Sequence, residues 1–239
     1  MKIATFGSCL SRYTANHYIK LYDGTVISSV YHNRSDAFIG KFIDKNWKTI
    51  PIESLADNLK DSPDVDADNL PINILKNQYE ETMGLHRLSK GIPFLKAIEN
   101  QEIDLLIMDN YIDLGAKLVK SNNFDGLFFK LGDIENNNLE ILDYLSPDES
   151  VENMNKIIGF FKEKSPKTQI IFINFPHNTY EGSIDRIKRT KIFESQFKPS
   201  ISVIPCLDVH PSFQTDQKQH FKGQQYCAYA GMVHQIIKN

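Results

Sequence analysis

The chain has 239 residues, 41% of them hydrophobic and 24% charged, with a formal net charge of −3, a composition that suits one large globular domain. That balance offers no basic footprint for nucleic acid; no apolar run reaches the roughly 18–20 residues of a membrane span; and 12 Gly with 10 Pro exclude a fibrous or low-complexity chain. Cys9, Cys206 and Cys227 cannot close a disulfide framework, and MKIATFGSCLSR lacks the apolar core and cleavage site of a signal peptide, so the expectation is a reducing, cytoplasmic setting.

In chain order, Lys2–Phe6 (KIATF) predicts a short strand ending at Gly7. Thr25–Tyr31 (TVISSVY) is rich in β-branched residues and runs into a polar turn at His32–Ser35. Residues 57–69 are acidic and rich in helix breakers, which predicts an exposed loop, and Leu70–Leu88 reads as a helix. Asp104–Met108 (DLLIM) and Gln169–Ile173 (QIIFI) are nearly continuous apolar runs, as expected of strands buried on both faces of a parallel sheet. Phe124–Lys130 fits either a strand or a loop wall, and residues 133–138 form a polar connector. Ser150–Lys164 carries Val151, Met154, Ile157, Ile158 and Phe161 at helical period, with Ser150 as the expected N-cap. Ile201–Ile204 is a further short strand, and a last helix runs from about Lys222 to Lys238. Strands alternating with helices predict an α/β fold: one domain over 1–239, a three-layer sandwich around a roughly five-stranded parallel sheet, with a helical insertion at about 44–100.

The stretch Phe6-Gly7-Ser8-Cys9-Leu10-Ser11-Arg12 directly follows the first strand. A strand, a tight turn and a helix N-terminus place N–H groups and the positive end of the macrodipole at one point, where a cysteine is shifted toward its reactive thiolate. The bland alternative is a small buried Cys beside a Ser8 cap. FGSCLSR resembles the opening block of the SGNH (GDSL-like) hydrolase superfamily, Gly-Asp-Ser. It is closer still to the bacterial Gly-Ser-Cys branch, the GSCFA-like and polysaccharide-biosynthesis-associated proteins. Laid on that block, Gly7 matches Gly, Ser8 matches Asp and Cys9 falls on the nucleophile, with Ser8 the alternative. The resemblance also implies a flavodoxin-like order of strands.

The superfamily places Asp-x-x-His before its last helix, and two stretches offer themselves. Asp216-Gln-Lys-Gln-His220 leads into the final helix, one residue too long; Asp208-Val-His210-Pro211 is one too short. His220 is the favoured base, oriented by Asp216 or Asp208, with His210 the rival. A thiol or hydroxyl nucleophile needs such a base within hydrogen-bond reach. The resemblance puts oxyanion donors at the nucleophile's own N–H, after the second strand and after the third. Asn110 sits in the last position, with Asn174 a weaker rival and an N-cap role the alternative. After the second strand no Gly occurs, so a backbone N–H near Arg34 or Ser35 is the substitute. Arg12 and Arg34 follow neighbouring strands and would suit an anionic substrate group, or merely pair with surface acids.

No Gly-x-Gly-x-x-Gly or Gly-x-x-x-x-Gly-Lys-Ser/Thr motif occurs, and Cys206, Asp208 and His210 lack the paired spacing of a metal site. The expected function is acyl transfer through a Cys9 acyl-enzyme, as an esterase or O-acetyltransferase on a polysaccharide or sugar precursor. No bound cofactor is implied, and acetyl-CoA is the co-substrate if the reaction is a transfer. Two alternatives stay open: a degenerate SGNH scaffold that binds a glycan or protein partner, and a thiol redox role for Cys9. The sequence leaves the oligomeric state open.

Overall fold

A computed structural model describes residues 1–56, 70–85, 91–129, 139–180, 183–215 and 219–239. It opens with β1 (Lys2–Gly7), α1 (Cys9–Leu21) and β2 (Thr25–Tyr31). Between β2 and the next long strand lie α2 (Ser35–Phe38), which runs into a π-turn at Ile39–Ile43, then α3 (Glu53–Ala56), α4 (Pro71–Lys76) and α5 (Phe94–Glu99). Next come β3 (Leu105–Asp109), α6 (Tyr111–Gly115), β4 (Leu118–Lys120), β5 (Glu140–Leu142) and α7 (Pro147–Lys164). The chain finishes through β6 (Gln169–Ile173), α8 (Ile184–Gln196), β7 (Ser202–Ile204) and α9 (Gly223–Lys238).

The main sheet has five parallel strands in the order β2-β1-β3-β6-β7, so the expected α/β architecture is the observed one. Alternating residues of the same strands feed two separate cores. Ile3, Leu105, Ile107 and Ile171 pack under α1 and α9 against Leu10, Tyr18, Tyr229 and Val233. Phe6, Leu106, Met108 and Phe172 pack against Phe38, Phe94, Phe161 and Phe193 on the opposite face. Each fully buried side chain of this size contributes roughly 1.5–3 kcal/mol, and burial on both faces explains why DLLIM and QIIFI show no polar alternation. The order places the switch in chain direction between β1 and β3, where open α/β sheets leave a crevice at the carboxyl ends of their strands.

Several elements depart from expectation. The helix expected from residue 150 begins at Pro147: Ser146 is the N-cap, its Oγ accepting from Glu149 N at 3.2 Å while the Glu149 carboxylate accepts from Ser146 N at 2.9 Å. This capping box, followed by Pro at the first helical position, overrides Ser150 as a start signal. Ser150 is buried one turn in, and its Oγ donates to Asp113 Oδ2 at 2.7 Å. The helix expected over 70–88 stops at Lys76 because the following backbone serves the exposed edge of β2. Ser29 N donates to Gly84 O at 2.9 Å, and Tyr31 N donates to Asn77 Oδ1 at 2.9 Å, so the edge is covered by chain rather than left open. Residues 86–88 of that expectation, the 57–69 loop and the 133–138 connector lie outside the described residues. Of Phe124–Lys130, the described part is a loop wall that pairs with β4 through an isolated bridge between Leu127 and Val119. The antiparallel pair of β4 and β5 was not foreseen. Among the described residues no helix is long and apolar enough to cross a membrane.

Asp113, fully buried on α6, ties three elements together: Oδ1 accepts from Ser35 N at 2.8 Å and Oδ2 from Ser150 Oγ. Burial raises its carboxyl from 3.8 to about 6, with the Ser35 and Ser150 hydrogen bonds opposing the rise. A raised carboxyl binds its proton more tightly in the folded state, so its contribution is full below about pH 4 and is lost as pH climbs through about 6. Asp113→Asn removes this slope. We expect the stability difference between Asp113→Asn and the parent, from urea unfolding, to shift in favour of the variant by about 2 kcal/mol between pH 4 and pH 7. A difference independent of pH would show that Asp113 does not titrate in that window.

Candidate active site

Strand β1 ends at Gly7, whose φ of +154° and missing side chain admit the carboxylate of Asp109 from the neighbouring strand. A Cβ on Gly7 would lie 2.5 Å from Asp109 Oδ2 and 2.9 Å from Asp109 N. The carboxylate is wholly buried, and its hydrogen bonds are to the turn that follows. Oδ2 accepts from Ser8 N at 2.8 Å and Ser11 N at 3.0 Å, while Oδ1 accepts from Tyr111 N at 3.0 Å. Burial raises its proton affinity and these donors oppose the rise. The ends of β1 and β3 are thereby locked to each other and to the start of α1.

Ser8 is the N-cap of α1. It is buried, and its Oγ accepts from Leu10 N at 3.1 Å. Cys9 is the first residue of the helix and is partly exposed. Arg12, one turn later, is buried with its Nη2 3.7 Å from Cys9 Sγ and 3.4 Å from the Tyr13 hydroxyl. Its guanidinium lies over the rings of Tyr13 at 5.0 Å and Tyr31 at 5.1 Å. A cation held there by two aromatic faces, together with the helix N-terminus, stabilises negative charge on the sulphur. The expected anion-binding arginine therefore stands beside the thiol.

Cys9 opens into a cavity of about 300 Å³ shared with Ser8, Tyr31, His32, Tyr111, Phe128, Gln219 and His220. His220 is half-buried, its ring edge-on to Tyr13 at a centroid distance of 6.1 Å. Burial and then the Arg12 charge lower its proton affinity, which favours the neutral form of the ring. His210 does not share this cavity: it is exposed, and its Nδ1 accepts from Ser212 N at 3.2 Å, capping the short turn at Pro211–Phe213. Asp208 is likewise exposed. Asp216 lies outside the described residues, among which no hydrogen bond joins a carboxylate to the His220 ring.

Two groups expected to meet the substrate, the Ser35 N–H and the Arg34 guanidinium, are engaged within the protein. The Ser35 N–H is spent on Asp113, so it is not offered to a substrate. Arg34 is buried with Nε and Nη2 bridging the Asp36 carboxylate at 2.8 and 2.7 Å, and Nη1 donating to the carbonyls of Asp143 at 2.6 Å and Ala116 at 3.1 Å. It is a structural tie, because burial of a guanidinium demands that its donors be satisfied within the protein. Asn110 is not a side-chain cap of α6. Its Oδ1 accepts from Phe175 N at 2.8 Å, which fixes the amide while the buried Nδ2 has no hydrogen-bond partner among the described residues. Asn174 is also buried, with its Oδ1, an acceptor, left over.

Sequence reasoning missed Asp109, which was legible as an acid closing an apolar strand opposite Gly7. It also assigned His32 no role. Among the described residues no cluster of three His, Cys, Asp or Glu side chains could hold a metal.

No protein-family profile matches the chain, and no curated protein matches it. Similar solved structures include a family two carbohydrate esterase from Clostridium thermocellum in complex with cellohexaose, at 10% identity and a TM-score of 0.44, covering 100% of this chain and 63% of that one. A carbohydrate esterase family 2 enzyme with a carbohydrate-binding domain from Corynascus thermopiles (Myceliophthora fergusii) is similar at 11% identity and a TM-score of 0.45, covering 99% and 65%. The acetyl xylan esterase Est2A from the rumen bacterium Butyrivibrio proteoclasticus follows at 12% identity and a TM-score of 0.41, covering 100% and 63%. The chain thus spans just under two thirds of the length of each.

The environments of Cys9 and Cys206 predict their order of reaction. Cys206 is held by the His177 ring Nδ1 at 3.0 Å and the His177 N–H at 3.3 Å, and burial first, then Glu194, pushes its thiol up to about 11. Iodoacetamide followed by peptide mapping should alkylate Cys9 at least tenfold faster than Cys206, and Arg12→Gln should slow Cys9 severalfold. Equal rates at Cys9 and Cys206 would contradict activation by the turn. Asp109→Asn, which exchanges an acceptor for a donor inside a ring of N–H groups, should cost about 2–4 kcal/mol of stability by thermal or urea unfolding.

Proposed function

We propose that the protein catalyses acyl transfer through a Cys9 thioester, acting as an esterase or O-acetyltransferase on a polysaccharide or sugar precursor. The observation that carries this reading is one cavity lined by both a thiol at a helix N-terminus and a histidine biased toward neutrality, with a buried arginine 3.7 Å from the sulphur. The resemblance of FGSCLSR to the Gly-Ser-Cys branch supplies the substrate class.

The steps follow from those groups. The His220 ring takes the Cys9 thiol proton as the sulphur attacks the ester carbonyl carbon, forming a C–S bond. Negative charge moves to the carbonyl oxygen, where the Cys9 N–H and the Asn110 Nδ2 are the proposed donors. Collapse breaks the bond to the leaving oxygen (or sulphur, if acetyl-CoA is the donor), which receives the proton from His220. Water or a sugar hydroxyl then gives a proton to His220 and attacks the thioester carbonyl, releasing the acyl product and restoring the thiol. Asp216 is the proposed partner orienting His220.

Hydrolysis of p-nitrophenyl acetate tests the assignment. Cys9→Ala should abolish turnover, His220→Ala should lower kcat/KM by about 10²–10⁴, and Ser8→Ala should lower stability more than rate. Because burial and Arg12 lower the proton affinity of His220, the acid limb of kcat/KM should fall below the ordinary histidine value of about 6.5, and Arg12→Gln should move it upward. A Cys9→Ala variant with unchanged turnover would overturn the reading.

A further inference from the structure

The wall of the cavity contributed by residues outside the strand-turn-helix site is built with unusual care. Phe128 is half-buried and lines the cavity beside His32, with their rings parallel at a centroid distance of 4.8 Å and an interplanar angle of 15°. The segment that carries Phe128 has no strand or helix of its own, yet buried polar side chains hold it in place. Gln78 acts as a strand-like clamp: Phe128 N donates to its Oε1 at 2.6 Å, and its Nε2 donates to Phe128 O at 2.9 Å. Lys41, buried in the π-turn, donates to Gly126 O at 2.7 Å. Gly126 has φ of +49° and abuts the Trp47 ring, so the position tolerates only glycine. His32 itself has φ of +59°, a left-handed conformation that a non-glycine residue rarely adopts and that the surroundings must enforce. Its position is equally fixed, because it follows Tyr31, the register partner of Gly7.

A buried lysine, a buried amide and a left-handed histidine all cost free energy. What they secure together is one apolar ring stacked on an imidazole at the wall of the cavity that holds Cys9. That pairing suits a ligand with an apolar ring face and polar substituents at its rim, as in a pyranose ester. A small acyclic ester gains nothing from it. Resting on the acyl-transfer reading, we propose that Phe128 and His32 form a platform that selects a pyranose-bearing acyl ester over a small acyclic one.

The test separates binding from turnover by using Cys9→Ala protein and measuring Kd by saturation-transfer NMR for two probes, glucose pentaacetate and ethyl acetate. Cys9→Ala should bind the sugar ester more tightly than ethyl acetate. Adding Phe128→Ala or Phe128→Leu should weaken the sugar ester about tenfold and ethyl acetate by less than twofold, while Phe128→Trp should restore it. Leu keeps the apolar filling without an aromatic face, so it excludes simple loss of packing. His32→Ala should weaken the sugar ester in the same selective way. Equal affinity for the two probes, equal loss of both in the variants, or no binding of the sugar ester would overturn the platform. Binding that follows this pattern in protein whose Cys9-intact form turns over neither ester would uphold the platform and count against acyl transfer instead.

Discussion

A single buried carboxylate organises this molecule. Asp109 closes β3, and its two oxygens accept three backbone N–H groups, two from the turn after β1 and one from the start of α6. Burying that charge is costly, and several donors in good geometry are needed to offset the cost. The same bonds require a residue without a side chain at Gly7. Everything chemical is then placed by consequence: Cys9 one residue beyond the fixed Ser8 N–H, Arg12 one turn further along the helix, and Tyr111 on the opposite side of the crevice.

The electrostatics divide by depth. Beneath the cavity, Asp109 and Asp113 are fully enclosed and raised in proton affinity by burial, each held by donors from other elements. Beside the thiol the charge is positive, Arg12 over the rings of Tyr13 and Tyr31. The same guanidinium favours a thiolate at Cys9 and a neutral ring at His220. A thiol whose anion is stabilised and a neutral ring able to take its proton are what a sulphur nucleophile and its base need. Arg34, by contrast, faces Asp36 and two carbonyls and leaves no charge for the cavity.

The central strands β3 and β6 were legible because they are buried on both faces and so read as nearly continuous apolar runs, DLLIM and QIIFI. The Cys9 turn was legible because Gly7 and the following helix are local features. The limits of two helices were not: the capping box of Ser146 and Glu149 takes precedence over Ser150, and α4 ends where the chain that follows it turns to cover the edge of β2. The roles of Arg34 and Ser35 depended on Asp36 and Asp113, the latter 78 positions away from Ser35, which spacing along the sequence does not reveal. His32 and Phe128 were overlooked for the same reason. They meet only because Gln78 and Lys41, remote from both the motif and one another, hold the segment in place.

The most direct test of the central claim is the chemical identity of an acyl adduct. The protein would be quenched in acid during turnover of p-nitrophenyl acetate, and the peptide spanning Lys2–Arg12 sequenced by tandem mass spectrometry with and without neutral hydroxylamine. An acetyl group on Cys9 that hydroxylamine removes is a thioester, the result this account predicts. An acetyl group on Ser8 that resists hydroxylamine would be an oxygen ester, and would mean that the Asp109-held turn presents a hydroxyl rather than the thiol as nucleophile.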